Sequence, residues 1–119
     1  MRAHRLSALV LTVLAAMVLA AALALAATPK EGTFAGKTDS GEKITIKVTD
    51  DGDKATVKYC NYSMNSKVKN GKFEAKHSGP GGVYVGLEGS FPTKKTAKGT
   101  ITTDYLCDTE GEDFTAKLK

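Results

Sequence analysis

Tryptophan is absent from the 119-residue chain, and proline, cysteine and histidine are scarce. Both arginines lie within the first five residues, so none remains further along for bidentate contacts with bases or phosphates. This absence argues against nucleic-acid binding. Beyond residue 26 the chain has a single histidine, His77, which excludes a histidine-rich metal site. The two cysteines stand far apart, at positions 60 and 107, so they do not form a Cys-x-x-Cys redox motif.

Large apolar residues are few as well. Leucine, isoleucine, valine and phenylalanine account for 15 of the 93 residues that follow residue 26. A core this small stabilises a fold weakly, so we expect an additional constraint. A disulfide between Cys60 and Cys107 supplies one, because closing a loop of about 48 residues stabilises the folded state by about 4 kcal/mol. We therefore predict this disulfide.

The first quarter of the chain has the pattern of an export signal. Two arginines form a basic head, residues 8–27 are apolar except for one threonine, and Ala24-Leu25-Ala26 fits the small-x-small site that signal peptidase cleaves. We predict a signal peptide over residues 1–26 and a secreted protein, located at the cell surface or in a periplasm-equivalent space. The alternative is a retained membrane anchor, since about twenty apolar residues can cross the hydrocarbon layer.

The residues after 26 carry strand and turn signals and no helical periodicity. In the clearest stretch, Lys43 to Thr49, isoleucine and valine alternate with polar residues, which is typical of a half-buried strand. Further strands are predicted over residues 32–38, 55–61, 67–69, 72–77, 83–91, 99–107 and 114–118. Seven or eight short strands predict an all-β domain over residues 27–119, built as one antiparallel β-sandwich or small barrel.

Turn residues separate the predicted strands. Asp51-Gly52 and Asn70-Gly71 are hairpin signals, residues 78–82 are predicted as a loop, and Pro92 is predicted to end a strand. Cys60 falls on the polar side of its strand, so we expect it at the strand end or just past a bulge.

Tyr105 shares the parity of Ile101 and is predicted to point inward. Asp104, Tyr105 and Cys107 are also similar to the tyrosine-corner segment of immunoglobulin domains. The absence of tryptophan makes this match partial.

Glycine, aromatic and cysteine motifs follow one another along the chain. They are Gly32 to Gly36, Asp51-Gly52, Cys60, Asn70 to Phe73, Gly89 to Phe91, Ala97 to Thr100, Cys107 and Phe114 to Ala116. In this order they resemble small secreted β domains of actinobacteria and related bacteria, which have no assigned function. The resemblance covers nearly all of residues 27–119. It implies export and a β fold, and it brings no activity or site residue.

Three groups of residues are candidates for chemistry. Oxygen-rich turns suit calcium, and carboxylates cluster at residues 50–53 and 108–113, so a calcium site is an alternative if the two turns meet. His77 and Ser78 are adjacent, but nothing in the sequence predicts the converging groups of a hydrolase. Asn61-Tyr62-Ser63 is a formal glycosylation sequon beside the predicted disulfide, where aromatic and amide groups would suit a carbohydrate or peptide ligand.

These observations predict a protein that is not an enzyme, with no catalytic, cofactor or metal site. We expect an extracellular or cell-surface binding or structural module whose partner is a protein, a glycan or a cell-wall polymer, with the membrane involved only if the leader is retained. Exposed lysines would suit an anionic polymer. The alternatives are a protease inhibitor that presents residues 63–66 or 78–82 as a loop, and a small-ligand carrier with an internal cavity.

Overall fold

The computed structural model describes residues 26–107 and 109–119, which form eight antiparallel strands and one 3-10 turn at residues 50–52. The strands are β1 (Gly32–Thr38), β2 (Lys43–Thr49), β3 (Lys54–Tyr59), β4 (Tyr62–Lys67), β5 (Lys72–Gly79), β6 (Gly82–Thr93), β7 (Thr96–Asp104) and β8 (Asp113–Leu118). The predicted all-β class is confirmed. The predicted signal peptide lies outside the described residues apart from Ala26. Within the described ranges, no helix has the length and apolar character needed to span a membrane.

The strands form one sheet that nearly closes on itself. Its order is β4-β3-β2-β1-β8-β7-β6-β5, so the first strand pairs with the last. The edge strands β4 and β5 lie side by side: the Tyr62 and His77 rings stack with centroids 4.3 Å apart, and the Glu74 N–H donates to Ser66 Oγ over 3.1 Å. The architecture is therefore the small-barrel alternative of the prediction, and we refer to it as the barrel.

Apolar residues line the inside of the barrel at every second strand position, as the period of a strand requires. Phe91 lies at the centre of this core, and its ring centroid is 5.3 Å from those of both Phe34 and Phe73. The largest buried side chains are Phe34, Ile44, Ile46, Val48, Val57, Tyr59, Val85, Leu87, Phe91, Ile101 and Phe114. Met64 of β4 and Phe73 of β5 are buried as well, so side chains from all eight strands fill the interior.

Two glycines allow this small set of side chains to fill the interior. Gly89 and Gly99 are opposite each other in register, between Phe73 and Phe114. A Cβ on Gly89 would lie 2.6 Å from Phe73 Cζ, and one on Gly99 would lie 2.8 Å from Phe114 Cζ. The two phenylalanine rings therefore occupy the volume that side chains at these positions would need.

The barrel has two different ends. The turns β1–β2, β3–β4, β5–β6 and β7–β8 form what we call the upper end, and the other three turns form the lower end. Residues 27–31 run across the lower end: the Ala27 N–H donates to the Phe91 carbonyl over 2.8 Å, and the Lys30 N–H donates to the Lys94 carbonyl over 2.9 Å. Pro29 is buried there. The segment that follows the predicted cleavage site is thus part of the folded domain.

The two predicted hairpin turns are confirmed. Asn70 and Gly71 have φ angles of 53° and 71°, the left-handed values of a type I′ turn. Asp51 and Gly52 also have positive φ, within the turn that joins β2 to β3. Cys60 lies just past the end of β3, as its off-core parity predicted.

Strand β4 was not predicted: the predicted strand 55–61 ends before it, residues 63–66 were considered as a loop, and the next strand was predicted at 67–69. The turn before β4 consists of Cys60 and Asn61, with φ angles of 56° and 64°, so a tight hairpin forms without glycine. Tyr62 and Met64 then point inward, in register with Tyr59 and Val57. Serine and asparagine at the outward positions have low strand propensity and hid this alternation.

Two other boundaries were also wrong. The predicted loop at residues 78–82 is reduced to Pro80 and Gly81, because Gly79 pairs with Gly82. Pro92 does not end its strand, and β6 continues to Thr93. The register between β6 and β7 shifts between Ser90 and Thr93, so Pro92 lies at an irregularity where no ladder hydrogen bond is needed.

A bulge in β7 reverses the predicted orientation of its last residues. Leu87 pairs with Ile101 and Gly86 with Thr103, so β7 has one more residue than β6 at this point. The extra residue exchanges the two faces beyond it. As a result Asp104 is buried, and Tyr105, predicted to point inward, is 73% exposed. The tyrosine-corner interpretation is wrong for the same reason.

Candidate functional site

Asp104 is the centre of a buried polar network at the upper end of the barrel. Its Oδ2 accepts hydrogen bonds from the Tyr59 hydroxyl over 2.7 Å and from the Thr109 hydroxyl over 2.5 Å, and a third from the Thr109 N–H. Its Oδ1 accepts from the N–H groups of Leu106 and Cys107, over 3.1 and 2.6 Å. One carboxylate therefore anchors the loop that joins β7 to β8.

The network shifts the acidity of both ionisable members. Burial alone would raise the pKa of Asp104, but the hydrogen bonds from Thr109, Tyr59 and the backbone of Cys107 outweigh it and lower the pKa below its usual value. The pKa of Tyr59 is raised well above its usual value, first by burial and then by the hydrogen bond and negative charge of Asp104. The pair is thus held as carboxylate and neutral phenol at neutral pH.

The two cysteines meet beside this network, as predicted. Cys60 and Cys107 form a disulfide with Cα atoms 6.0 Å apart, within the usual range. The bridge joins the β3–β4 turn to the β7–β8 loop at the upper end. Their sulfurs and an Asp104 oxygen lie within 4.8 Å of one another. The sulfurs are bonded to each other and both carboxylate oxygens already accept hydrogen bonds, so this cluster is explained by the network.

His77 lies among aromatic rings rather than beside an acid. Its ring stacks on Tyr62 and lies 6.4 Å from the ring of Tyr84, measured between centroids. Ser78 follows it on β5 and is exposed. Within the described residues, the structure brings no carboxylate into hydrogen-bond contact with His77, so the groups of a Ser-His-Asp arrangement are not assembled there.

The two acidic segments lie at opposite ends of the barrel. Residues 50–53 belong to the lower end, where Asp50 pairs with Lys54 over 3.2 Å. Glu110, Glu112 and Asp113 belong to the upper end, where Glu112 Oε2 accepts from the Ser40 hydroxyl over 2.7 Å. The segments do not meet, so the condition set for a calcium site between them is not fulfilled.

The loops considered for a protease inhibitor and for a stacked ligand are also placed by the fold. Residues 63–66 lie within strand β4, and only Pro80 and Gly81 remain as a turn between β5 and β6. Asn61 of the sequon is exposed in its turn, while Tyr59 and Met64 are buried in the core. The aromatic group expected near the disulfide is therefore mostly interior.

A lysine-rich surface covers the outside of β1 to β4, and we call it the lysine face. It consists of the outward side chains of these four strands, none of which is buried and none of which is a carboxylate. Six are lysines, and all but one of the others carry a hydroxyl or an amide. The members are Thr33, Ala35, Lys37, Lys43, Thr45, Lys47, Thr49, Lys54, Thr56, Lys58, Ser63, Asn65 and Lys67.

The register of the strands concentrates the charge at the middle of this face. Lys58 is directly opposite Thr45, and Lys43 and Lys47 flank Thr45 two positions away on the same strand. Neighbouring strands lie about 4.8 Å apart and alternate residues of one strand about 6.8 Å apart, so the three lysines are the neighbours of one threonine on three of its four sides. Lys37 is directly opposite Lys43, a like-charge pair that weakens the sheet.

The opposite side of the barrel has mixed charge. The outward residues of β5 to β8 include Lys72 and Lys98 together with Glu74, Glu88 and Asp113, and with Lys67 and Lys69 they line a groove of about 1040 Å³. Glu74 also pairs with Lys76 over 2.8 Å. Within the described residues, ion pairs occur at only one lysine of β1 to β4, Lys54. The charged side chains of the lysine face are therefore all positive, whereas the opposite side carries charges of both signs.

Comparisons with known proteins identify no relative: no protein-family model, no curated protein and no solved structure matches the chain.

Proposed function

We propose that this protein is an exported, non-enzymatic module of the cell surface that binds an anionic polymer of the cell envelope through the lysine face. The observation that carries this proposal is the absence of any carboxylate among the outward residues of four adjacent strands, which hold six lysines. The expected signal peptide and the resemblance to small secreted β domains agree with it.

The charge arrangement favours a ligand over a purely structural role. Exposed lysines in folded proteins are usually interspersed with acids, which limits repulsion. Here Lys37 and Lys43 are direct neighbours across two strands, and no carboxylate of β1 to β4 offsets them. A bound polyanion would neutralise this repulsion and would add about 1 kcal/mol for each lysine close to its surface.

The chemistry of the side chains indicates which polyanion would fit. Lysine acts as a flexible point charge and does not offer the planar fork with which arginine reads a single group. The threonines between the lysines, such as Thr45 and Thr56, offer hydroxyls to oxygens of the chain that lies over them. This combination suits a repeating phosphate or carboxylate polymer with hydroxylated units.

The interior and the surroundings of His77 favour binding over the alternatives. Side chains from every strand fill the barrel, which gives the small-ligand carrier no support. His77 packs against the rings of Tyr62 and Tyr84, and within the described residues it makes no hydrogen bond to a carboxylate, which gives a hydrolase no support.

A binding measurement with two matched variants tests the proposal. One variant replaces Lys43, Lys47 and Lys58 with glutamine, and the control replaces Lys72, Lys94 and Lys98, which changes the net charge equally on other parts of the surface. The probe is purified polyglycerol phosphate, titrated at increasing salt, with single-stranded DNA and neutral dextran in parallel.

We expect the first variant to bind roughly 100-fold more weakly, because about 1 kcal/mol for each of three lysines amounts to about 3 kcal/mol, and the control to bind nearly as the wild type. The slope of log K against log salt should fall by about 2 in the first variant, by analogy with single-stranded nucleic acids. Equal losses in both variants, or DNA binding as tight as polyglycerol phosphate binding, would count against an envelope polymer on this face.

A further inference from the structure

A polar groove lies where the lysine face meets the upper end of the barrel. Its volume is about 850 Å³, which is within the usual range of pockets that hold small ligands. The β1–β2 turn and the β3–β4 turn border it, and both cysteines of the disulfide line it. Because the bridge fixes Cys107 against the β3–β4 turn, this side of the groove is formed before any ligand arrives.

Two lysines of the lysine face line this groove, Lys43 and Lys58. Lys58 is directly opposite Thr45, and Lys43 is two positions from Thr45 on the same strand, so the two lysines are diagonal neighbours across β2 and β3. Diagonal neighbours lie about 7 to 8 Å apart, within reach of long side chains. Both lysines are exposed, and within the described residues neither forms an ion pair. Their ammonium groups can therefore contact one bound anion.

Groups that form hydrogen bonds lie beside these lysines. Lys58 is in register with Thr45 on β2 and with Ser63 on β4, so it has a hydroxyl residue on each side. Asn61 and Glu42 are exposed in the two bordering turns and line the groove as well. The groove thus offers two cations for an anion, and hydroxyl, amide and carboxylate groups for the hydroxyls of a ligand.

Glu42 decides between a bare anion and a hydroxylated one. It is the one carboxylate among the described residues that line the groove, and an ionised carboxylate only accepts hydrogen bonds. A bare anion beside it would create a like-charge contact, which disfavours binding. A hydroxyl next to the anionic group instead donates to the carboxylate. The groove therefore suits a ligand that carries a phosphate and hydroxyls side by side.

We propose that this groove binds one phosphorylated polyol unit of the polymer, with its phosphate between Lys43 and Lys58 and its hydroxyls directed to Glu42, Thr45 and Ser63. The inference rests on the proposed function, in which the whole lysine face attracts the polymer by charge. It adds a site that recognises the chemistry of the repeating unit.

The sheet provides a matched control for the test. Lys47 is directly opposite Thr56 on the same two strands, as Lys58 is opposite Thr45, but neither Lys47 nor Thr56 lines the groove. Lys58→Gln and Thr45→Val are therefore compared with Lys47→Gln and Thr56→Val. The probe is glycerophosphoglycerol, titrated into the isotope-labelled protein and followed by amide chemical shifts. Dimethyl phosphate, which has the same diester charge and no hydroxyl, is titrated in parallel.

We expect shifts centred on residues 43, 45, 58, 61 and 63 and a Kd of about 1 mM, the order expected for a ligand of this size. Lys58→Gln and Thr45→Val should each weaken binding about 5-fold, because a charge and a hydrogen bond are lost, and their counterparts should weaken it less than about 2-fold. Dimethyl phosphate should bind about 10-fold more weakly than the unit. Polyglycerol phosphate, which covers more of the face, should lose affinity about equally in Lys58→Gln and Lys47→Gln.

All four side chains lie on the outer face, so the melting temperature of each variant should stay within a few degrees of the wild type. The groove is overturned as a site if the unit binds no tighter than dimethyl phosphate, if the shifts spread evenly over the lysine face, or if Lys47→Gln weakens the unit as much as Lys58→Gln. In each of these cases, binding of polyglycerol phosphate would leave the proposed function intact. Binding of the unit without binding of the polymer would instead refute the proposed function, and the absence of both would refute both.

Discussion

Replacing Asp104 with asparagine tests whether the buried carboxylate organises the upper end of the barrel. The carboxylate accepts five hydrogen bonds, three of them from backbone N–H groups. Asparagine has the same shape but one acceptor oxygen. If that oxygen faces Leu106 and Cys107, the new amide group faces Tyr59 and Thr109. Their hydroxyls can rotate to accept, but the Thr109 N–H cannot.

The expected cost follows from these contacts. One buried N–H without a partner costs about 1 to 3 kcal/mol, and the remaining hydrogen bonds lose the charge that strengthens them. We expect Asp104→Asn to lower the free energy of unfolding by about 2 to 4 kcal/mol. For a domain of this size, this corresponds to a decrease of about 10 to 20 °C in melting temperature.

Urea unfolding of the oxidised protein measures this loss, and two tyrosine variants provide the comparison. Tyr59→Phe removes one donor to the carboxylate and should cost about 1.5 kcal/mol. Tyr62→Phe is the matched control, because Tyr62 packs against the core and its hydroxyl makes no hydrogen bond to the described residues. In the double variant with Asp104→Asn, the effect of Tyr59→Phe should shrink, since its partner has changed. If Asp104→Asn stays within about 0.5 kcal/mol of the wild type, the network does not organise the loop as we argue.

Two further predictions concern the same end of the barrel. Cys107→Ser should lower the free energy of unfolding by about 4 kcal/mol, which is the loop-closure value for this separation. Calorimetry should give the same loss for Cys60→Ser and for the double serine variant. A decrease of only one or two degrees in melting temperature would mean that the core is sufficient without the bridge. The contribution of the Asp104 and Tyr59 pair to the free energy of unfolding should stay constant between about pH 4 and pH 10. The lowered pKa of Asp104 makes its contribution disappear as the pH falls below that range, and the raised pKa of Tyr59 makes its contribution disappear as the pH rises above it. Tyr59→Phe should therefore flatten the alkaline side, and an unchanged alkaline slope in that variant would contradict the assignment.

The sequence predicted the features that depend on local patterns. Alternation of large apolar residues marked β2 with its exact bounds, and the glycine turns at residues 52 and 71 marked the hairpins. The all-β class and the Cys60–Cys107 pair followed from composition and separation. Each of these signals lies within a few residues or is a simple count, so no knowledge of distant contacts was required.

The missed features depend on contacts between strands. The bulge in β7 is visible only against the register of β6, and it decides that Asp104, and not Tyr105, is buried. Strand β4 forms because the core accepts Tyr62 and Met64, although the residues between them favour turns. The lysine face spans four strands, and the sequence shows its lysines without showing that their neighbours across the sheet lack acids. An acid directly before Tyr105, Leu106 and a cysteine was the one local sign of the Asp104 network.

The pairing of β1 with β8 has a consequence for how the domain is made. Every other ladder joins strands that are neighbours in sequence, and such hairpins form early because they close short loops. The ladder between β1 and β8 brings residue 34 to residue 118, almost the whole length of the domain. A chain that crosses a membrane from its N-terminus can build its hairpins as they emerge, but the barrel closes only after the last strand has arrived. Until then β1 has one open edge, and this is the period in which the chain is most exposed to proteases and to pairing with other chains.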